Sequence, residues 1–253
     1  MTVTPSMRLD GLVAVVTGAG RGVGRASAIA LAEAGADVVL MSRTASELED
    51  AAADVVSAGS TATPVVCDIT DARAVTTAFG ALERCDVLVN SAGTNVPQPF
   101  LEVTEETLDR LLGLNVKATF LVSQAAVRLM TSRRSGGSVV MISSQLGHVG
   151  SSLDRTVYCA TKHAMEGLTK AMAVELAPLT VRVNSVAPTF VETPMTRPFF
   201  QSPGFREEVL DRIPLGRVGQ VEDVVGAVVF LASPAAAMIT GASLLVDGGW
   251  TAQ

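Results

Sequence analysis

Cysteine, histidine and aromatic residues are scarce in this 253-residue sequence, and each shortage closes off a class of function. The three cysteines, Cys67, Cys85 and Cys159, are odd in number and lack metal-ligand spacing, so neither a disulfide framework nor a metal site is expected. They read as small apolar packing groups. No long basic run occurs. Arg133-Arg134, the nearest to one, reads as the solvated end of a helix, and with a net charge of −6 a nucleic-acid partner has no electrostatic support. Long apolar runs are missing too: Val224 to Leu231 is preceded by Glu222 and Asp223, and no stretch reaches the roughly 20 residues that a membrane-spanning helix needs. The first ten residues do not have the basic-then-apolar order of a signal peptide. A cytoplasmic protein without a membrane partner is the expectation.

Small and branched aliphatic residues are what the sequence has in plenty. With 48% apolar residues and only 4% aromatic ones, the core must be built from Ala, Val, Leu and Ile, as in a parallel sheet covered on both faces. Seven β-rich runs are predicted as strands: 12–17, 37–41, 63–67, 86–90, 138–143, 181–187 and 243–246. Helical patterns lie between them, as in Ala26, Ile29, Ala30, Leu31 and Ala34, closed by Gly35. Strand and helix in alternation imply right-handed crossovers, hence an α/β fold: one doubly wound, Rossmann-type, seven-stranded parallel sheet with helices on both faces. Residues 188–216, rich in Pro and Phe, carry no strand or clear helix pattern and read as a lid or substrate loop following a strand end.

The first strand runs straight into Thr17-Gly18-Ala19-Gly20-Arg21-Gly22-Val23-Gly24, and a helix starts there. In that setting the glycines permit a tight turn that brings a pyrophosphate to the positive end of the helix; the plainer alternative is a flexible turn with helix-packing glycines. Gly18, Arg21, Gly22, Val23 and Gly24 are therefore candidate dinucleotide contacts, and residues 1–253 read as one dinucleotide-binding and catalytic domain. The end of the second strand distinguishes the two dinucleotides, because an acid there bonds the ribose while a cation accommodates a 2′-phosphate. Ser42 and Arg43 occupy it, without a carboxylate, and Arg21 adds a second cation. NADP(H) is favoured and NAD(H) stays possible, since Arg43 also reads as a solvated surface residue. Asp68, before Ile69, is placed to accept from an adenine amino group or else to cap the helix starting near Asp71. Asn90-Ser91-Ala92-Gly93 reads as a strand-end turn that lets backbone approach the second ribose.

Tyr158-Cys159-Ala160-Thr161-Lys162 places the chain's one tyrosine four residues before a lysine, on one helix face. An ammonium beside a phenol favours the phenolate and brings its pKa down from about 10, which makes the tyrosine a usable acid or base. Such a pair also arises by chance on amphipathic helices. Ser144 follows a strand, where a hydroxyl can bond a reacting oxygen. Asn115, in Leu114-Asn115-Val116-Lys117, is a poor interior helix residue and suggests either a water-holding polar role or a local kink.

These motifs, in this order, resemble the short-chain dehydrogenase/reductase family across nearly the whole chain, from Leu12 to Asp247-Gly248-Gly249. The resemblance implies hydride transfer between a nicotinamide dinucleotide and a carbonyl or alcohol carbon, with Asn115, Ser144, Tyr158 and Lys162 as a catalytic tetrad. It further implies that Lys162 holds the nicotinamide ribose, that Thr193 in Val191-Glu192-Thr193 holds the carboxamide beside Pro188, and that the assembly is a homotetramer. Two departures stand out. Thr189 follows Pro188 where the family usually has glycine, and Ser144 precedes Tyr158 by one residue more than usual, so the intervening loop should bulge.

The substrate side is read from Gln145, His148 and Arg155, polar groups flanking the tetrad. A guanidinium there can pair with a carboxylate, which points to a sugar-acid, polyol or keto-acid small molecule. Alternatively Arg155 pairs with Asp154 or a neighbouring subunit, and His148 bonds within its loop. A 3-oxoacyl-thioester reductase working on an acidic carrier protein, and a non-catalytic dinucleotide-binding regulator, are the competing functions. The terminal Trp250 either reaches a pocket or frays.

Overall fold

The short aliphatic runs become strands because β-branched residues fit a pleated surface buried on both sides. In the computed structural model, which describes residues 3–132, 136–202 and 204–253, these are β1 (Val13–Thr17), β2 (Asp37–Ser42), β3 (Ala62–Val66), β4 (Val87–Asn90), β5 (Gly137–Ile142), β6 (Val181–Pro188) and β7 (Ser243–Val246). The Arg133-Arg134 pair lies outside the described residues. The strands form one sheet in the order β3-β2-β1-β4-β5-β6-β7, every neighbouring pair parallel. The chain winds outward from β1 to β3, then crosses back to β4. The gap between β1 and β4 is where winding reverses, and a crevice opens there beyond the strands' carboxyl ends.

Helices α1 (Gly22–Glu33), α2 (Ala45–Ser57), α3 (Ala72–Gly80), α4 (Glu105–Leu112), α5 (Thr119–Ser132), α6 (Thr156–Leu176), α7 (Arg197–Phe200), α8 (Phe205–Leu210) and α9 (Val221–Ala232) complete the chain. Alternate residues of β1 serve opposite faces. Ala14 and Val16 join a core with Leu31 of α1, Leu48 of α2 and Val228 of α9, whereas Val15 joins one with Phe79 of α3, Met130 of α5 and Met165 of α6.

The segment after β6 is more ordered than its sequence pattern suggests, since it holds α7 and α8. Its apolar residues have a core of their own: Phe190, Val209, Ile213, Val218 and Trp250 are buried together, with Phe200 and Phe205 packed against them. Pro198, in the first turn of α7, favours helix initiation. The terminal turn is held, not frayed. The Asp247 carboxylate accepts from the Gly249 and Thr251 backbones and the Thr251 hydroxyl, and Trp250 lies 5.7 Å from Phe190. Trp250 braces the segment after β6 and does not line the main cleft.

Between α4 and α5 the helix widens into a π turn at Gly113–Ala118, with Asn115 buried inside it. The wider turn removes Asn115 from the ordinary helical ladder, a device frequent at functional sites.

Candidate active site

A cleft of about 320 Å³ lies at the carboxyl ends of β1, β2, β4, β5 and β6. Its floor is the glycine turn. Gly18 has φ +66°, and a Cβ there would stand 2.8 Å from Ala92 Cα, so only glycine lets the first turn meet the loop after β4. A Cβ on Gly24 would fall 2.2 Å from the Gly18 carbonyl oxygen, which seats α1 directly behind the turn. Arg21, the residue preceding α1, makes no side-chain cap, and no acid occupies the first turn. The helix's first N–H groups and its positive end are left for an anion. Gly22, Val23 and Gly24 line the cleft, as do Ser42, Arg43, Asp68 and Ile69 further along.

At the β2 end the Ser42 hydroxyl accepts from Thr44 N–H at 3.3 Å, and Arg43 lies beside it. One carboxylate does reach this place, contrary to the sequence reading. Glu47 of α2 lines the cleft 3.8 Å from Arg21 and packs against Gly20. It was missed because it arrives from the next helix and not from the strand end. Asp68 does not cap α3; Asp71 does, accepting from Arg73 N–H at 2.8 Å. Asp68 Oδ1 accepts instead from the Thr70 backbone at 2.9 Å and hydroxyl at 2.7 Å, and those bonds hold its carboxyl below the usual range. Asn90 is displaced from the expected set. Its amide donates inward to the Ser123 hydroxyl at 2.9 Å, tying β4 to α5, while Ala92 and Gly93 line the cleft. The cause is strand alternation, which turns Asn90 into the layer below the sheet.

Tyr158, Lys162 and Ser144 meet on the opposite wall. Tyr158 and Lys162 sit one turn apart on α6, the ammonium 5.6 Å from the ring centre. The Lys162 amine donates to the Ile142 carbonyl at 2.8 Å, which holds it against the end of β5. Burial pushes the Tyr158 phenol up to about 12, opposed by a hydrogen bond with Ser144 and by the charge of Arg155. Burial pulls Lys162 down to about 8, opposed by the charge of Glu166. The expected lowering of the tyrosine by its lysine therefore does not dominate: loss of hydration outweighs the neighbouring charges. The Ser144 hydroxyl donates to Gln145 Oε1 at 2.8 Å and accepts from Leu146 N–H at 3.1 Å. Asn115 stands just behind the wall. Its amide donates to the Thr94 carbonyl at 2.9 Å and the Thr161 hydroxyl at 3.1 Å, and its oxygen accepts from Thr94 N–H at 2.9 Å. One lone pair of that oxygen is left over.

The chain is similar to known proteins along nearly its whole length. A family model described as enoyl-(acyl carrier protein) reductase matches residues 18–251. L-xylulose reductase of Mus musculus is 43% identical over 96% of this chain and 98% of its own. Galactitol 2-dehydrogenase (L-tagatose-forming) of Cereibacter sphaeroides is 40% identical over 96% of each chain. A gluconate 5-dehydrogenase of Burkholderia cenocepacia, solved with NADP and tartrate, superposes with a TM-score of 0.93 at 33% identity over 98% of both chains. The chain belongs to the short-chain dehydrogenase/reductase family.

Within that family frame the two departures can be placed. Thr189 keeps ordinary backbone geometry, donates its N–H to Val246 at 3.1 Å and adds a buried hydroxyl to the cleft wall. The longer stretch before Tyr158 contains a 3-10 turn at Gln145–Gly147 and a left-handed Asp154 at φ 54°. Pro188, Val191 and Thr193 line the cleft, as do Gln145 and Arg155.

His148 does not line it. The 3-10 turn carries His148 to the far side, where its Nε2 lies 2.9 Å from the Ser243 hydroxyl and 3.5 Å from Glu166. Glu166 is itself buried, with the Ser185 hydroxyl 3.0 and 2.9 Å from its two oxygens. It follows Lys162 by four residues, a spacing that puts both on one face of α6 and lets its charge act on the lysine. A Glu166→Gln substitution keeps the Ser185 bond and removes the charge. Lys162 should then lose its proton below about pH 8, read by 15N resonances of the lysine amine; an unchanged midpoint would show that Glu166 does not act on Lys162.

Proposed function

We propose that this protein is a cytoplasmic, homotetrameric, NADP(H)-dependent oxidoreductase that interconverts a secondary alcohol and a ketone on a sugar- or polyol-type small molecule, residues 1–253 acting as one catalytic unit. The observation that carries this reading is the placement of Tyr158, Lys162 and Ser144 on one wall of the cleft whose floor is the glycine turn. A dinucleotide bound there supplies or accepts a hydride at its nicotinamide. Gly18, Gly22 and Val23 would hold its pyrophosphate, Asp68 and Ile69 its adenine, Ala92 and Gly93 a ribose, and Pro188, Val191 and Thr193 its nicotinamide end. Ser42, Arg43 and Arg21 favour the phosphorylated form, although Glu47 offsets part of the Arg21 charge.

Tyr158, held neutral by burial, is ready to give its proton to a ketone oxygen, and Ser144 bonds the same oxygen as charge develops. In the reverse direction the phenolate has to form, and the bond from Ser144 and the Arg155 charge both favour it. Lys162 stays largely protonated at neutral pH and holds positive charge beside the phenol. Asn115 fixes Thr94 and Thr161 on either side, with one oxygen lone pair for a water that passes the proton on. Gln145, Asn95 and Thr189 give the substrate side a polar lining, in keeping with relatives named for xylulose and galactitol. The net charge of −6 works against docking an acidic carrier protein. A purely regulatory role would leave the four side chains of the tetrad without work.

Three free cysteines fit a reducing compartment. Among the described residues no helix is long and apolar enough to cross a membrane. Assembly is supported by apolar side chains that stand in water: Leu108 and Leu112 of α4, Phe120 of α5, and Leu244 and Leu245 of β7.

Tyr158→Phe should cut kcat by roughly 10²- to 10⁴-fold with dinucleotide affinity little changed; full turnover in that variant would sink the assignment. Arg43→Ala should weaken NADPH by roughly tenfold or more while NADH binding changes little, and equal loss for both would place Arg43 in solvent. Sedimentation should give a tetramer, and a monomer at every concentration would refute the assembly.

A further inference from the structure

Arg155 precedes α6 by one residue and Tyr158 by three, and the residue is 3% exposed. The guanidinium lies over three rings, 5.2 Å from the centre of Phe190, 4.9 Å from Phe199 and 5.7 Å from Phe205. Ring faces attract a cation and fix its plane, yet they offer nothing to N–H groups that point outward in that plane. Among the described residues the guanidinium donates no hydrogen bond and pairs with no carboxylate, and its Nε is fully buried without a partner. Its sequence neighbour Asp154 adopts a left-handed conformation, its carbonyl accepting from Gln98 N–H at 2.8 Å, and its carboxylate forms no ion pair with the guanidinium, acting on it only as a nearby charge.

A guanidinium cannot shed its proton, and a buried cation without an anion is costly. The cleft is where an anion can arrive, because Arg155 lines it beside Tyr158. The other cation on that wall is already engaged: Lys162 donates to the Ile142 carbonyl and has Glu166 on its own helix face. One free planar cation matches one planar monoanion, a carboxylate, better than a phosphate dianion, which calls for several donors. Asn95 and Thr189, which line the same cleft with buried, unpartnered oxygens, suit the hydroxyl groups of a sugar chain.

We propose that Arg155 is the carboxylate-binding residue of the substrate subsite, and that the substrate is a sugar-type keto or hydroxy acid and not a neutral polyol. The inference rests on the alcohol/ketone reading above. The test compares a keto-aldonate, the neutral ketose of the same chain length and the corresponding ketose phosphate, with NADPH and the full chain. Wild type should prefer the keto-aldonate by roughly ten- to a hundredfold in kcat/KM, the range expected for one charge-assisted contact. In Arg155→Met the ratio of acid to neutral kcat/KM should collapse towards one, and Arg155→Lys should recover part of it. Thermal shift gives a readout without turnover: the aldonate should raise the Tm of wild type more than the matching alditol does. If the neutral ketose is the better substrate, or the ketose phosphate outcompetes the acid, the carboxylate subsite is refuted while the alcohol/ketone reading stands. If wild type reduces none of the three, the reading beneath it fails.

Discussion

The close approach of two backbone turns, one after β1 and one after β4, is the contact on which the rest of the site depends. The Thr17 hydroxyl accepts from the Ser91 and Ala92 backbones at 3.2 and 3.3 Å, and Gly18 has no side chain to hold Ala92 away. This joins the two wound halves of the sheet at the point where the strand order reverses. With the gap closed below, everything above it opens into one crevice, and α1 presents its positive end there. A side chain at Gly18 would push the turn off the loop after β4, and one at Gly24 would push α1 off the turn.

On that wall, burial sets the chemistry more strongly than pairing does. Tyr158 and Lys162 both move towards their neutral forms, and hydrogen bonds and distant charges from Ser144, Arg155 and Glu166 return part of the difference. The phenol is thus an acid by default whose anion is reached with help from two directions, the Ser144 hydroxyl and the Arg155 charge. The aromatic cluster extends the same logic into the segment after β6. Phe190, in contact with both Trp250 and Arg155, links the chain's last turn to the Tyr158 wall of the cleft.

Much of this was legible in the order of residue types. The glycine turn between a strand and a helix, and tyrosine four before lysine, carry their chemistry through local spacing alone, because neighbouring backbone fixes where those groups point. Asn115 was legible as an anomaly, a poor helix residue that the chain accommodates with a π turn. Thr189 and the longer stretch before Tyr158 were visible as departures, but not what they do to the cleft.

The partners of the site residues were decided elsewhere. Asn90 sits at the predicted strand end yet faces Ser123, since the pleat and not the motif chose its direction. Nothing near His148 in sequence announces Ser243 or Glu166, and nothing near Arg155 announces Phe190, Phe199 and Phe205 around it. The sequence by itself determined the winding of the sheet, the glycine turn at the head of α1 and the placing of Tyr158 and Lys162 on one helix face, all matters of local pattern. Only the tertiary structure decided which polar groups are buried without partners, because desolvation depends on what long-range packing brings around a group, and no spacing along the chain records that.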